Sequence, residues 1–182
     1  VVIEPDASPA FIDSRLTGPD FEGDRMIETA ISPDGTIAVG ANKISGNAVI
    51  FNATTGARLA EVEVGIRPDA VAITPDGSKA VVANGDSFFA SVIDLGSFTV
   101  TNVPMGRRGS QVLFSPDSHF AYIPVVADGD GVTRINLNTL AVDGPKIFTG
   151  NMGGVGYAFS QASGAAIGRD GATLGEAGSV DD

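Results

Sequence analysis

The sequence has no cysteine, no tryptophan, a single histidine and only three lysines, Lys43, Lys79 and Lys146. Without cysteine there are no disulfides and no thiolate chemistry, and the redox compartment stays open. With His119 as the sole imidazole, a metal site would have to use oxygen ligands. No Ser or Cys is placed to make that histidine part of a nucleophilic triad. Basic residues are scarce: 11 Lys and Arg against 22 Asp and Glu leave a formal net charge of −11. That balance argues against nucleic acid, whose binding rests on cations at phosphates, and against an anionic membrane surface. No apolar run approaches the ~20 residues of a transmembrane helix, so no membrane insertion is expected. The chain has neither an initial Met nor a basic-then-apolar leader, the expectation for a processed product or a piece of something longer.

What is present is turn chemistry at a fixed interval. Gly at 24 and Pro at 10 suit many turns, 43% hydrophobic content suits a globular core, and no window holds a helical period. The all-β class follows. In residues 65–84, the β-branched and small residues Val71, Ile73, Ala80, Val81 and Val82 form two short runs around Pro75-Asp76-Gly77. Proline pre-sets φ, aspartate hydrogen-bonds its own backbone and glycine takes the positive φ, so a hairpin is expected. The same turn stands at Pro33-Asp34-Gly35 and Pro116-Asp117-Ser118, at spacings of 42 and 41 residues. A degenerate copy, Phe159-Ser160-Gln161-Ala162-Ser163, answers residues 114–118 at a spacing of 45. A period of about 40 to 45 residues with several short strands in each is the mark of a β-propeller of four-stranded antiparallel blades.

Each repeat reads as four strands: 28–32, 37–42, 48–52 and 57–64; 69–74, 79–84, 89–95 and 98–105; 110–115, 120–126, 132–137 and 140–148. In the fourth, first and second strands are expected at 154–160 and 165–168, with Ser179-Val180-Asp181 beginning a third. At the other end, Val1-Val2 followed by Ala10-Phe11-Ile12-Asp13 answers Val81-Val82 followed by Ser91-Val92-Ile93-Asp94. About four repeats result, three whole with partial ones at the ends. Residues 1–22 are a partial blade, 23–65, 66–106 and 107–150 are blades, and 151–182 are a partial blade and tail. The two partial units could close a four-bladed ring, close an eight-bladed ring between two chains, or belong to a larger propeller. The overlap of the ends in the repeat frame favours the last.

The run Val81-Val82-Ala83-Asn84, the recurring Ser/Thr-Pro-Asp-Gly turn, Ser91-Val92-Ile93-Asp94 and the Gly-x-Arg start of the repeats resemble the YVTN-type β-propeller repeat, a WD40-like and lactonase-like class, over residues 23–168. The resemblance implies a secreted, periplasmic or cell-surface setting. It covers surface-layer proteins, lactonase-like enzymes and redox-protein domains, so it implies no catalytic residues. The third repeat departs from the pattern at Gly109, where Pro68 stands in the second, and the fourth lacks Pro-Asp.

Candidate functional residues come from aligning the repeats. Gly23-Asp24-Arg25, Gly65-Ile66-Arg67 and Gly106-Arg107-Arg108 put an arginine at one repeat position three times, and Asn151-Met152 fills it in the fourth. In a propeller that position lies at the mouth of the central channel, beside loops carrying Asp86, Asp128 and Asp130. Converging guanidinium groups suit a carboxylate or phosphate, because each is a planar, permanently charged fork of donors. Arg25, Arg67, Arg108 and Asp86 are therefore the expected ligand-binding set, for a protein partner or a small anion. The plainer alternative is that each arginine pairs with a neighbouring repeat's acidic loop and fixes repeat spacing. No cofactor is expected, with calcium the one candidate, at Asp128-Gly129-Asp130-Gly131. That loop lacks the remaining EF-hand ligands and reads better as a tight acidic turn. Asp34, Asp76 and Asp117 recur with the turn and are expected to cap it, as Asp13, Asn52, Asp94 and Asn136 cap strand ends. His119 is expected in an exposed turn, and residues 150–156 as a connection and not a phosphate loop. The reading is a binding or scaffold module. The alternatives are a lactonase-like hydrolase, a redox-linked enzyme or a purely structural surface-protein segment.

Overall fold

The computed structural model describes residues 26–106, 108–126, 131–145, 147–148, 162–167 and 174–178, and these are all-β. The first sheet consists of β1 (Met26–Ile31), β2 (Ile37–Asn42), β3 (Asn47–Asn52) and β4 (Arg58–Glu63), hydrogen-bonded in that order. The second repeats it with β5 (Pro68–Ile73), β6 (Lys79–Asn84), β7 (Phe89–Asp94) and β8 (Val100–Pro104). The third is built on β11 (Phe120–Val126) and β12 (Gly131–Asn136). On one side of that pair lie β9 (Arg108–Gly109) and β10 (Leu113–Phe114), and on the other β13 (Ala141–Val142) and β14 (Ile147–Phe148). A hairpin of β15 (Ala162–Ile167) and β16 (Leu174–Gly178) follows, and every pairing is antiparallel.

The expected strands of the first two repeats stand within two residues of their observed bounds. Three expectations need correction. The first and fourth strands of the third repeat are each interrupted. In the fourth strand the cause is Asp143-Gly144-Pro145: Gly144 takes φ 76° and proline has no N–H to give the ladder. The third is the hairpin β15–β16, whose second strand, at Leu174–Gly178, lies where no strand is expected. The segment 154–160 lies outside the described residues.

Why each repeat makes the same sheet is visible in its turns. The N–H of Gly35 donates to the Ser32 carbonyl and that of Gly77 to the Thr74 carbonyl, both at 2.8 Å, and the N–H of Ser118 donates to the Ser115 carbonyl at 3.0 Å. These residues have φ of 73°, 73° and 61°, so the third repeat holds a serine where the others use glycine. The turns touch from sheet to sheet, since the N–H of Asp76 donates to Ser118 Oγ at 3.0 Å.

Side-chain alternation then divides the core between sheets. Ala80 and Val82 of β6 pack with Val39, Ala41, Ala48 and Ile50 of the first sheet. Val81 and Ala83 face the other way, toward Val112, Ala121, Ile123, Val125 and Ile135 of the third. Both faces of the middle sheet are thus covered, which is why β6 reads as an unbroken apolar run between Lys79 and Asn84. The third sheet comes close to the second at Gly109, where a Cβ would lie 2.7 Å from Ile123 Cγ2 and 3.2 Å from Ala83 Cβ. This explains the third repeat's departure from Pro68.

Candidate anion-binding face

The arginine-bearing end is shaped by a bulge repeated in each sheet. Met26 pairs with Asn42 and Glu28 with Ala41, leaving Ile27 over. Pro68 pairs with Asn84 and Ala70 with Ala83, leaving Asp69 over. In the third sheet Gly109 pairs with Val125 and Leu113 with Tyr122, so three residues oppose two. A bulge re-aims the side chain it frees. In the second sheet that side chain is Asp69, whose carboxylate lies over Gly85, where a Cβ would come within 2.0 Å of its Oδ2. Glycine at 85 is required for this placement.

Asp69 is one rung of a ladder of charges. Lys43 Nζ, from the β2–β3 turn of the first sheet, sits 2.9 Å from Asp69 Oδ1. Arg67 Nε lies 3.5 Å from the same oxygen, and Arg67 Nη1 reaches Asp86 Oδ1, also at 3.5 Å. Arg108 Nη1, from β9 of the third sheet, reaches Asp86 Oδ1 at 3.4 Å. Signs alternate along Lys43, Asp69, Arg67, Asp86 and Arg108, across three sheets. Of the expected set, Arg67, Arg108 and Asp86 are brought together, while Arg25, Asp128 and Asp130 lie outside the described residues.

Two features show how loosely the guanidinium groups are held. Asp86 Oδ1 is shared between two guanidinium groups at distances well beyond the ~2.8 Å of a direct charge-assisted bond. Both arginine side chains also stay about half exposed, at 46% and 53%. The Arg67 backbone is meanwhile fixed: it has φ 51°, and its carbonyl accepts from the Gly85 N–H at 2.7 Å. A non-glycine residue in the left-handed region costs roughly 1 kcal/mol, a strain often stored at ligand sites.

Beneath the ladder, Asn84 is fully buried at the end of β6. Its Oδ1 accepts from the Gly65 N–H at 3.0 Å, and its Nδ2 donates to the Phe89 carbonyl and to Ser91 Oγ, each at 3.1 Å. Ser91 Oγ passes the chain on to Asn102 Oδ1 at 2.8 Å. Asn84 thus ties the connection leading to Arg67 to the middle of the sheet. Lys43, Asp69 and Asn84 are absent from the expected site set. Asp69 had one signal, its position two residues after Arg67, but the bulge that turns it toward Lys43 has none.

The opposite end of the sheets is structural. Asp34 accepts from the Ser32 hydroxyl at 2.6 Å and from the Thr36 N–H and hydroxyl at 3.0 and 2.9 Å, bonds that hold its carboxyl below the usual range. Asp117 is lowered by the Ser115 hydroxyl at 2.5 Å and the His119 N–H at 3.0 Å. At Asp76, partial desolvation pushes the pKa up, but bonds from Thr74 and Ser78 and the charge of Lys79 outweigh it. Asn52, Asp94 and Asn136 cap the third-to-fourth strand turns, each accepting two backbone N–H groups from the residues just after it. His119 is exposed, its Nδ1 3.1 Å from Asp117. Among the described residues, no group of three or more His, Cys, Asp or Glu is placed to hold a metal ion, and no helix is long and apolar enough to cross a membrane.

No known family model matches the chain, and no curated protein matches it. Among solved structures 920 chains match, so the architecture is widely shared and carries no activity with it. One is Kuenenia stuttgartiensis hydrazine synthase, with a TM-score of 0.73 and 24% identity over 85% of this chain. The match spans 42% of that chain, and at this identity the likeness is one of fold.

Proposed function

We propose that this chain is an extracytoplasmic binding module of the β-propeller type, taking a carboxylate- or phosphate-bearing ligand at Arg67 and Arg108, with Arg25 completing the set. The observation that carries the reading is the sharing of one Asp86 oxygen by two half-exposed guanidinium groups at 3.4 and 3.5 Å. An added anion supplies the direct bonds these donors lack, and does so in a chain whose overall charge is −11. The propeller assignment is supported by two four-stranded sheets and a third built of the same strands with the first and last interrupted, their turns recurring at 42 and 41 residues. The setting outside the cytoplasm rests on the YVTN resemblance alone.

Calorimetric titration with citrate and with inorganic phosphate tests the site. Saturable binding that weakens with added salt and is lost in Arg67→Gln and in Arg108→Gln is the expected result. Binding of neither anion, or equal binding by the variants, overturns it. Sedimentation, read beside whether the first and last residues pair in one sheet, tests ring closure: a monomer with paired ends would be a four-bladed ring, a dimer with exchanged ends an eight-bladed one, and unpaired ends would mean part of a larger propeller.

One observation favours a second reading, a purely structural repeat segment. Lys43–Asp69 joins the first sheet to the second and Arg108–Asp86 the third to the second, so the ladder also sets sheet spacing. Exposed pairs of this kind contribute only about 0–1 kcal/mol each. A structural role alone therefore predicts a small, salt-sensitive loss of stability in the arginine variants and no anion binding by the native chain.

A further inference from the structure

Three large apolar side chains stand exposed on the loops that carry the ladder: Ile44 at 59%, Ile66 at 68% and Phe88 at 63%. Single exposed hydrophobic residues are ordinary. These are set on three adjacent loops, beside Lys43 and Arg67 and on the way to Arg108, so apolar and cationic groups alternate along one strip.

The strip is pre-organised by its backbone. Val64 N–H donates to the Gly46 carbonyl at 3.0 Å, holding the loop of Ile44 against the connection that carries Ile66. Ile66 N–H donates to Ser87 Oγ at 2.9 Å, and the Ile66 carbonyl accepts from Asp86 N–H at 3.2 Å. The Phe88 carbonyl accepts from the N–H groups of Met105 and Gly106 at 2.8 and 3.0 Å, which brings in the approach to Arg108. Display from a fixed backbone lowers the ordering cost of binding.

A small anion would occupy the guanidinium groups and leave Ile66 and Phe88 in water. An occupant that uses both needs carboxylates and apolar side chains on one flexible strand. Arg67 and Arg108, both half-exposed, share one Asp86 oxygen, which favours a negatively charged partner at this point although the chain as a whole is acidic. We infer that this strip docks an extended acidic segment of a partner protein, its carboxylates on Arg67 and Arg108 and its apolar side chains on Ile66 and Phe88. This rests on the proposed reading of Arg67 and Arg108 as anion ligands and adds the class of partner.

The test uses the intact chain and a fluorescein-labelled (Leu-Leu-Asp-Asp)2 peptide, which in extended form carries leucine and aspartate on the same face, with (Leu-Leu-Asn-Asn)2, citrate and phosphatidylserine vesicles as comparisons. The acidic peptide should bind while the neutral one does not. The double variant Ile66→Ser, Phe88→Ser, altered only at exposed positions, should weaken the peptide about tenfold or more while citrate binding is unchanged. Arg67→Gln should lose both. Equal peptide binding by the double variant and the native chain overturns the docking strip and leaves the anion site standing. Equal binding of the two peptides with no citrate binding overturns the anion site itself. Preferential binding of the vesicles replaces the protein segment with a lipid surface and overturns the inference.

Discussion

The Oε2 atom of Glu28 accepts a hydrogen bond at 2.8 Å from the backbone N–H of Val71. Glu28 is on β1 and Val71 on β5, the edge strand of the next sheet, so a side chain of one repeat satisfies a backbone donor of its neighbour. Glu28→Ala leaves that donor without its partner, and the expected loss is about 1–2 kcal/mol in urea unfolding. Glu28→Gln keeps an oxygen acceptor and should lose less than half as much. Equal losses would mean that the bond contributes nothing.

The turn aspartates set the acid limb of stability. Asp34, Asp76 and Asp117 have folded pKa values below their ordinary 3.8. As pH falls toward the folded values, the unfolded chain takes up protons that the folded chain still excludes, so folding weakens. Stability from these groups is therefore whole above about pH 4 and lost below it. Asp76→Asn should flatten the dependence below that point. An unchanged slope in denaturant titrations across pH 2 to 5, taken as about that range, would contradict the assignment.

Ser118 carries two opposed effects. Its φ of 61° is unfavourable for a side chain, while its hydroxyl accepts from the Asp76 N–H of the preceding repeat. Ser118→Gly relieves about 1 kcal/mol of strain and loses a bond of about the same worth, so its unfolding midpoint should move little. Ser118→Ala keeps the strain and loses the bond, and should be less stable by about 1 kcal/mol. Comparing the two thermal midpoints separates backbone strain from the link between repeats.

At the proposed anion site Asp86 would compete with a ligand for Arg67 and Arg108, since one of its oxygens lies 3.5 and 3.4 Å from them. Asp86→Asn should strengthen citrate binding several-fold, a change of about 1 kcal/mol, while global stability changes by less than about 1 kcal/mol. Weaker citrate binding in that variant would show that Asp86 positions the guanidinium groups and does not compete with the anion.

Much of the fold was legible because its signals are local. A Pro-Asp-Gly turn and a β-branched run each act over a few residues, and their recurrence at 42 and 41 residues multiplies the signal. Capping by Asn52, Asp94 and Asn136 was readable for the same reason. The interruption at Asp143-Gly144-Pro145 was equally local, yet one strand was expected to run through it over residues 140–148. The site was legible only in part. Arg67, Arg108 and Asp86 share repeat positions or loops that alignment finds. Lys43 and Asp69 are 26 residues apart and meet only because a bulge frees Asp69 and Gly85 leaves it room. Pairing register carries that information, and composition does not.

The two-sided burial of β6 bears on how its pairing is chosen. A strand with one wet face is held in register because a one-residue slip would turn its apolar set outward. In Ala80-Val81-Val82-Ala83 both faces are dry and similar in size, so such a slip exchanges one core for the other at little hydrophobic cost. Alignment must then be dictated from the ends, by the Gly77 turn on one side and the Asn84 side-chain bonds on the other. Asn84 works as a stop for the strand, and the strand it stops sets where Arg67 begins.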